Sequence, residues 1–412
     1  MILPLLQCDR IRAMDNRHII LVTDYGAPYI GGMEVHAEEC ARHFEKYSNF
    51  AGVCLMPLSD SNDALSHFRE STALKAKITP LSRSSIFTSE ELEHALIQHG
   101  ISNMTVLFFN SLYWVRILGD LKRRFPHIKI FLRSGGNDIF QARIEGVGET
   151  LTERQSYIVK QITSYADGLI VNSQFSKNRI SGLGIPENLM SIVSGGIDIS
   201  RFTPANREEK NALRERLGLP KDCVIILAAC RLVRFKGIKQ TLTVLGRIRT
   251  QKPFLYIVIG DGPEHATLEQ HVHEIGIQEQ VRFIKTVPHT IIPDYFRAAD
   301  IYCYFPRLET MNESGGSYVH TETMGRSFCE AMAAGLPIVA SQVGSVAEIV
   351  HSGVHGFLID TENLQEESAT LAQMIDNPLQ CEEMGIQARQ YAEEQYSWET
   401  VCSRYQQLFS SL

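Results

Sequence analysis

The sequence predicts an α/β protein made of two doubly wound parallel-sheet domains, and three observations carry that prediction. Short apolar runs alternate with helical stretches along the chain, the order that builds parallel sheets covered by helices. Several of the runs are β-rich without polar alternation, as in strands buried on both faces. The pattern restarts after residues 192–196 and the polar stretch 204–222, in a chain of 412 residues, too long for one ordinary core. The predicted domains are 1–200 and 201–396. Two such domains face a central cleft in this architecture, with ligand at the carboxyl ends of the strands.

In chain order, the candidate strands of the first half are 19–22, 106–109, 128–132 and 168–171. Those of the second half are 224–229, 255–259, 281–284, 301–305 and 337–340. After residues 224–229 come Arg231, then Lys236 and Gly237, then a helix. Arg offers a fork and Lys a point charge to a diphosphate, although both also suit an exposed helix start. The turn Gly260-Asp261-Gly262 closes the next strand and lacks the spacing of a dinucleotide site. The segment Glu322 to Glu330 holds Met324, Gly325, Arg326, Ser327 and Phe328. There Ser327 is expected to start a helix that ends at Gly335 with Pro337 beyond it. Free N–H groups at such a start favour a phosphate. Ser327 and Glu330 equally read as a capping box, which needs no ligand but leaves Glu322 unexplained.

Composition excludes several classes. Hydrophobic residues make up 44% and charged residues 21%, as in an ordinary soluble protein. Net charge is −7, with 20 Lys+Arg against 21 Asp+Glu in residues 1–200 and 20 against 26 in the rest, so neither half has a nucleic-acid binder's basic excess. The nine cysteines are scattered with no C-x-x-C pair, which predicts reduced thiols, no zinc site and a cytoplasmic protein. Residues 1–8 are apolar but too short for a secretory signal, and no apolar run is long enough to span a bilayer. The basic run Lys122-Arg123-Arg124 is either a contact with the inner membrane face or a solvated helix end.

With these motifs in place, the second half resembles the donor domain of family 4 (group 1) retaining glycosyltransferases of the GT-B fold, two Rossmann-like domains facing a cleft. The resemblance rests on Cys230 to Gly237, Gly260 to Pro263, Tyr295 to Asp300, the Glu322-x7-Glu330 loop with Ala331 to Pro337 after it, Gly344 to Val350 and Gly356-Phe357-Leu358. Ser397-Trp398-Glu399 opens a last helix, 397–412, which in this fold returns to the first domain. The resemblance implies a nucleotide sugar as co-substrate, UDP by the family's common usage, and no cofactor or metal; no D-x-D sequence is present. It implies that Arg231 and Lys236 hold the donor diphosphate, that Glu322 contacts sugar hydroxyls and Glu330 the ribose, and that residues 324–328 line the site. Arg231, Lys236 and Glu322 would carry the transfer of a hexose or N-acetylhexosamine to a sugar, lipid-linked or small polyol acceptor.

In the first half the resemblance covers Gly31-Gly32, expected near the donor phosphates, and residues 171–177 and 195–204. One departure stands out. The family's His-Gly-x-Asp motif is replaced by Arg133-Ser134-Gly135-Gly136-Asn137-Asp138, with glycine in the histidine's place. Either the donor-sugar contact made by the family's histidine is supplied here by Arg133 or Asn137, or the register of the match is off, and Asp138 either binds acceptor or caps the next helix. A second departure is the insert 306–321, a polar stretch expected as a lid, an acceptor contact or a loose surface loop. A sugar phosphorylase on the same scaffold and a non-catalytic nucleotide-sugar-binding protein are the alternatives.

Overall fold

The computed structural model describes residues 17–26, 32–58, 63–141, 147–285, 287–360 and 363–411. The chain divides into two compact units, one of Met1–Gly196, Asn312–Ser317 and Trp398–Leu412, the other of Ile197–Met311 and Tyr318–Ser397.

The first unit holds β1 (His18–Tyr25), β2 (Phe50–Pro57), β3 (Lys77–Pro80), β4 (Thr105–Phe109), β5 (Lys129–Arg133), β6 (Gly168–Val171) and β7 (Met190–Ile192). They form one parallel sheet in the order β3-β2-β1-β4-β5-β6-β7. All residues of β4 and β6 are buried, which is why those runs show no polar alternation. β3 is a short half-exposed edge, Lys-Ile-Thr-Pro, whose apolar content is too small to mark it in the sequence.

The helix Trp398–Ser410 belongs to this unit because of its buried stripe Trp398, Val401, Cys402, Tyr405 and Phe409, spaced three or four apart. Phe409 lies 5.0 Å from the Phe131 ring and Tyr405 5.1 Å from Phe108. Trp398, 2% exposed, stacks on His43 at 5.6 Å and lies against Gly196, where a Cβ would come within 2.3 Å of its ring. Trp398→Ala is therefore expected to cost ~3–5 kcal/mol of unfolding free energy, read by urea denaturation.

The basic run ends the helix Leu118–Arg124, and each cation has an acid beside it. Lys122 binds Asp167 at 2.6 Å, Arg123 pairs with Asp120, and Arg124 lies 3.8 Å from Glu93. Among the described residues no helix is long and apolar enough to cross a membrane.

The second unit holds β8 (Val224–Ala229), β9 (Phe254–Ile259), β10 (Val281–Ile284), β11 (Ile301–Tyr304), β12 (Glu309–Glu313), β13 (Gly316–His320), β14 (Ile338–Ser341) and β15 (Gly356–Ile359), except that Asn312–Ser317, the facing ends of β12 and β13 with the turn between them, belong to the first unit. Six of them make a parallel sheet in the order β10-β9-β8-β11-β14-β15, and β12 pairs with β13 as a separate hairpin. The insert is thus an ordered hairpin, not a loose loop. Within the first unit its turn is tied down: Ser314 C=O accepts from Leu151 N–H at 2.8 Å, and Gly315 C=O accepts from Thr152 Oγ1 at 2.6 Å.

The order of the larger second-unit sheet reverses between β8 and β11, which pair in parallel through Ile301–Ile226 and Tyr302–Leu227. In an open α/β sheet such a switch point leaves a crevice at the carboxyl ends of the two strands. Arg231 and Lys236 follow β8, and Glu322 follows β11 and the hairpin.

Candidate active site

β8 ends at Ala229, whose N–H and C=O both bond the Tyr302 hydroxyl, at 3.2 and 3.1 Å. The next residues run along the Gly260-Asp261-Gly262 turn, with Leu232 N–H donating to Asp261 C=O at 2.9 Å. A short turn, Arg234–Lys236, then meets Gly237 at φ 64° and leads into the helix Ile238–Leu245. Gly237 is pressed on the end of β11: a Cβ there would stand 1.7 Å from the Phe305 carbonyl oxygen. Arg307 N–H donates to Phe235 C=O at 2.8 Å and Phe305 N–H to Thr241 Oγ1 at 3.1 Å. These contacts aim Lys236 across the crevice.

Lys236 Nζ forms a short ion-paired hydrogen bond with Glu322 Oε2, with only 16% and 11% of the two side chains exposed. Burial opposes both charges, but each is more than offset by the other: the Lys236 pKa lies above its ordinary value and the Glu322 pKa below. Glu322 Oε2 also accepts from the Tyr304 hydroxyl at 3.2 Å, and Oε1 from Gly325 N–H at 3.1 Å. The Glu322 carbonyl accepts from Ser345 N–H at 3.1 Å. Arg231 is exposed, and its charge is felt at Lys236.

The helix Arg326–Ala333 begins one residue before Ser327, with Gly325 as its N-cap at φ 67° and no side-chain cap bond. The capping-box expectation is therefore corrected. Gly325 turns the chain into the helix by its left-handed backbone, Ser327 Oγ bonds the Tyr304 hydroxyl at 3.2 Å, and Glu330 takes Arg326 Nε at 3.1 Å. Burial pushes the Glu330 carboxyl up and the neighbouring Arg326 only partly offsets it. At its other end the helix closes as expected: Gly335 N–H donates to Met332 C=O and Leu336 N–H to Ala331 C=O, both at 2.9 Å, a Schellman arrangement. Phe328 is fully buried and stacks on Tyr304 with centroids 4.3 Å apart. Met324 is half-buried between Glu322 and the helix.

The second unit thus brings Lys236, Glu322, Gly325, Arg326, Ser327, Phe328 and Glu330 together. Tyr304, absent from the sequence expectations, stands among them. It hides in the apolar run Ile301-Tyr302-Cys303-Tyr304-Phe305, where an aromatic residue reads as core.

In the first unit Gly32 opens the helix Gly32–Tyr47, while Gly31 lies outside the described residues. Arg133 is 3% exposed and committed to Asn172 Oδ1 at 2.8 Å and Met33 Sδ at 3.1 Å. Asn137 Oδ1 accepts from Arg179 at 3.2 Å. Asp138 accepts from Ser134 Oγ at 2.5 Å and from Gly135 and Gly136 N–H at 3.0 and 3.2 Å, so it ties its own loop together. Of the two roles open for Asp138 the observed bonds are structural. Among the described residues no group of three or more His, Cys, Asp or Glu is placed to hold a metal ion.

Comparison with known proteins places the fold and the class of enzyme. Residues 209–391 match the family described as glycosyl transferases group 1. The GDP-mannose-dependent alpha-(1-6)-phosphatidylinositol monomannoside mannosyltransferase of Mycolicibacterium smegmatis is 24% identical over 312 residues, 76% of this chain and 78% of that protein. The D-inositol 3-phosphate glycosyltransferase of Corynebacterium urealyticum is 29% identical over 330 residues, 76% of this chain and 73% of the relative. Among solved structures, Anabaena HepE in complex with UDP and glucose superposes with a TM-score of 0.73 at 17% identity, covering 96% of this chain and all of that one. Residues 209–391 match the group 1 glycosyl transferases, and the chain is a hexosyltransferase with the GT-B fold.

Proposed function

We propose that the enzyme transfers a hexose or N-acetylhexosamine from a nucleoside-diphosphate sugar to an acceptor hydroxyl, with retention of anomeric configuration and without a metal ion. The observation that supports this best is the Lys236–Glu322 pair at the switch point, with the N-terminus of the helix Arg326–Ala333 beside it. The costly event in such a transfer is departure of the diphosphate as charge develops on its oxygens. Lys236, Arg231 and the free N–H groups at that helix start stabilise the charge. Glu322 grips donor-sugar hydroxyls and Glu330 the ribose, while Met324 to Phe328 line the site. The leaving phosphate takes the acceptor proton on the face it departs from. A UDP-sugar is the donor implied by the family's usage, and HepE was solved with UDP and glucose. GDP-mannose is the second reading, favoured by the mannosyltransferase relative. The inositol-containing acceptors named for both relatives favour a polyol or lipid-linked polyol acceptor.

Thermal unfolding with millimolar UDP, GDP, ADP and CDP tests the donor site. The matching nucleotide, at ~100 times its dissociation constant, is expected to stabilise the fold by about 2.7 kcal/mol, and Glu330→Ala to abolish that shift. No shift with any nucleotide would favour the phosphorylase alternative. Phosphate-dependent cleavage of a disaccharide without nucleotide would then single out the phosphorylase.

A further inference from the structure

Glu322 and Lys236 are each other's partner in this structure, although both are read above as ligands of the donor. Glu322 Oε2 holds Lys236 Nζ and the Tyr304 hydroxyl, and Oε1 holds Gly325 N–H. When Lys236 turns to a diphosphate, the 11%-exposed Glu322 side chain loses its counter-charge. A buried carboxylate left with too few donors is expensive, and it either moves or takes up a proton. Gly325 N–H and Tyr304 are the donors that remain.

We propose that Tyr304 is a positioning residue of this site, whose phenol holds the Glu322 carboxylate in place and ionised while Lys236 is drawn to the donor diphosphate. The inference rests on the roles assigned to Glu322 and Lys236 under Proposed function. Tyr304 is suited to it by placement. It ends β11, is fully buried, and stacks on Phe328 at 16° between ring planes. Its hydroxyl is shared with Ser327 Oγ at 3.2 Å, on the first turn of the helix that Gly325 caps. The ring centroid is 5.7 Å from Lys236 Nζ, and burial with the stack on Phe328 fixes the phenol beside the pair. Burial and the neighbouring Glu322 push the Tyr304 pKa well above its ordinary value, so the phenol remains a donor.

The other titratable groups that face Glu322 are Lys236, Cys230 after β8 and Cys329 on the helix Arg326–Ala333. Burial pushes the Cys230 thiol up to about 12 and the Cys329 thiol higher still, so neither ionises in the acid range. Glu322 itself is the member of this set that titrates there, and its depressed pKa rises when a donor is removed.

The test is Tyr304→Phe, which keeps the ring and its stack and removes one donor. The Glu322 carboxyl carbon is followed by NMR across pH, assigned by its loss in Glu322→Gln, without nucleotide and with millimolar UDP or GDP. In Tyr304→Phe the Glu322 midpoint is expected to rise by about one pH unit, and to rise further with nucleotide bound than without. Hydrolysis of UDP-glucose and GDP-mannose, read as released nucleoside diphosphate, is expected to fall roughly 10- to 100-fold with unchanged affinity for the nucleotide. A merely structural tyrosine would lower stability and leave the titration where it was. An unmoved Glu322 midpoint, a rise no greater with nucleotide than without, or undiminished hydrolysis overturns the inference. If instead Glu322→Gln hydrolyses donor normally, or neither nucleotide binds, the underlying reading of the site fails, and the inference with it.

Discussion

Lys236→Ala is expected to lower turnover by ~10²–10³-fold, the effect of losing one preorganised donor to a developing anion. The same change should cost ~3–5 kcal/mol of stability, because it strands Glu322 in a site where only 11% of its side chain is exposed. The two losses can be separated. In the double variant Lys236→Ala/Glu322→Gln no buried charge is left unpaired, so most of the stability should return while turnover stays low.

The pH dependence carries a sign that also tests the pair. In the native protein the folded pKa of Glu322 is depressed, so its contribution is present above the unfolded value and is lost as pH falls through the folded one. The folded pKa of Lys236 is raised, so its contribution is present below the unfolded value and is lost as pH rises through the folded one. In Lys236→Ala the buried Glu322 is pushed up instead. Its preference for the protonated form then makes the variant lose stability as pH rises past the unfolded carboxyl value. Urea denaturation between about pH 4 and about pH 8 should show this group's contribution falling with pH in the variant where it stays level in wild type. An unaltered slope would mean that the pair does not carry its charge balance.

Gly237→Ala is the second large effect. Gly237 sits at φ 64°, which any other L-residue adopts at a cost, and its Cβ would stand 1.7 Å from a backbone oxygen that cannot swing aside. Strain and overpacking together predict a loss of at least ~3 kcal/mol, with turnover reduced because Lys236 is the preceding residue. Gly276→Ala is the control. Gly276 has a similar φ of 72° but nothing within 4 Å of its Cβ, so only the backbone strain applies, about 1 kcal/mol. Equal losses in the two variants would show that the close approach of β11 is unimportant.

Most of the large-scale fold was legible because buried parallel strands write themselves as unbroken apolar runs. The stretches 168–171, 224–229 and 281–284 coincide with β6, β8 and β10. β2, though apolar, was not singled out, and β3 and β7 are too short to stand out at four and three residues. The hairpin of β12 and β13 left no trace, since Glu-Thr-Met-Asn-Glu has neither an apolar face nor strong strand formers. Its strands exist because they pair with each other and because Leu151 and Thr152 fasten the turn.

The residues of the candidate site were readable as a set because glycines and charges at strand ends have few other uses, and Gly237 and Gly325 do adopt the left-handed backbone that only glycine takes freely. Their couplings were not readable. Ser327 and Glu330 have capping-box spacing, but the backbone at Gly325 and the side chain of Arg326 took those roles. Tyr304 had the look of a core aromatic, and it is one, except that folding brings β11 beside Glu322 and turns its hydroxyl into a donor. Strand, turn and helix stops are decided by neighbours within a few residues, so the sequence by itself determined the order of the elements and the residues at their ends. Which carboxylate meets which cation was decided by tertiary structure: Lys236 and Glu322 are 86 residues apart, and only the reversal of strand order between β8 and β11 brings them together in a crevice.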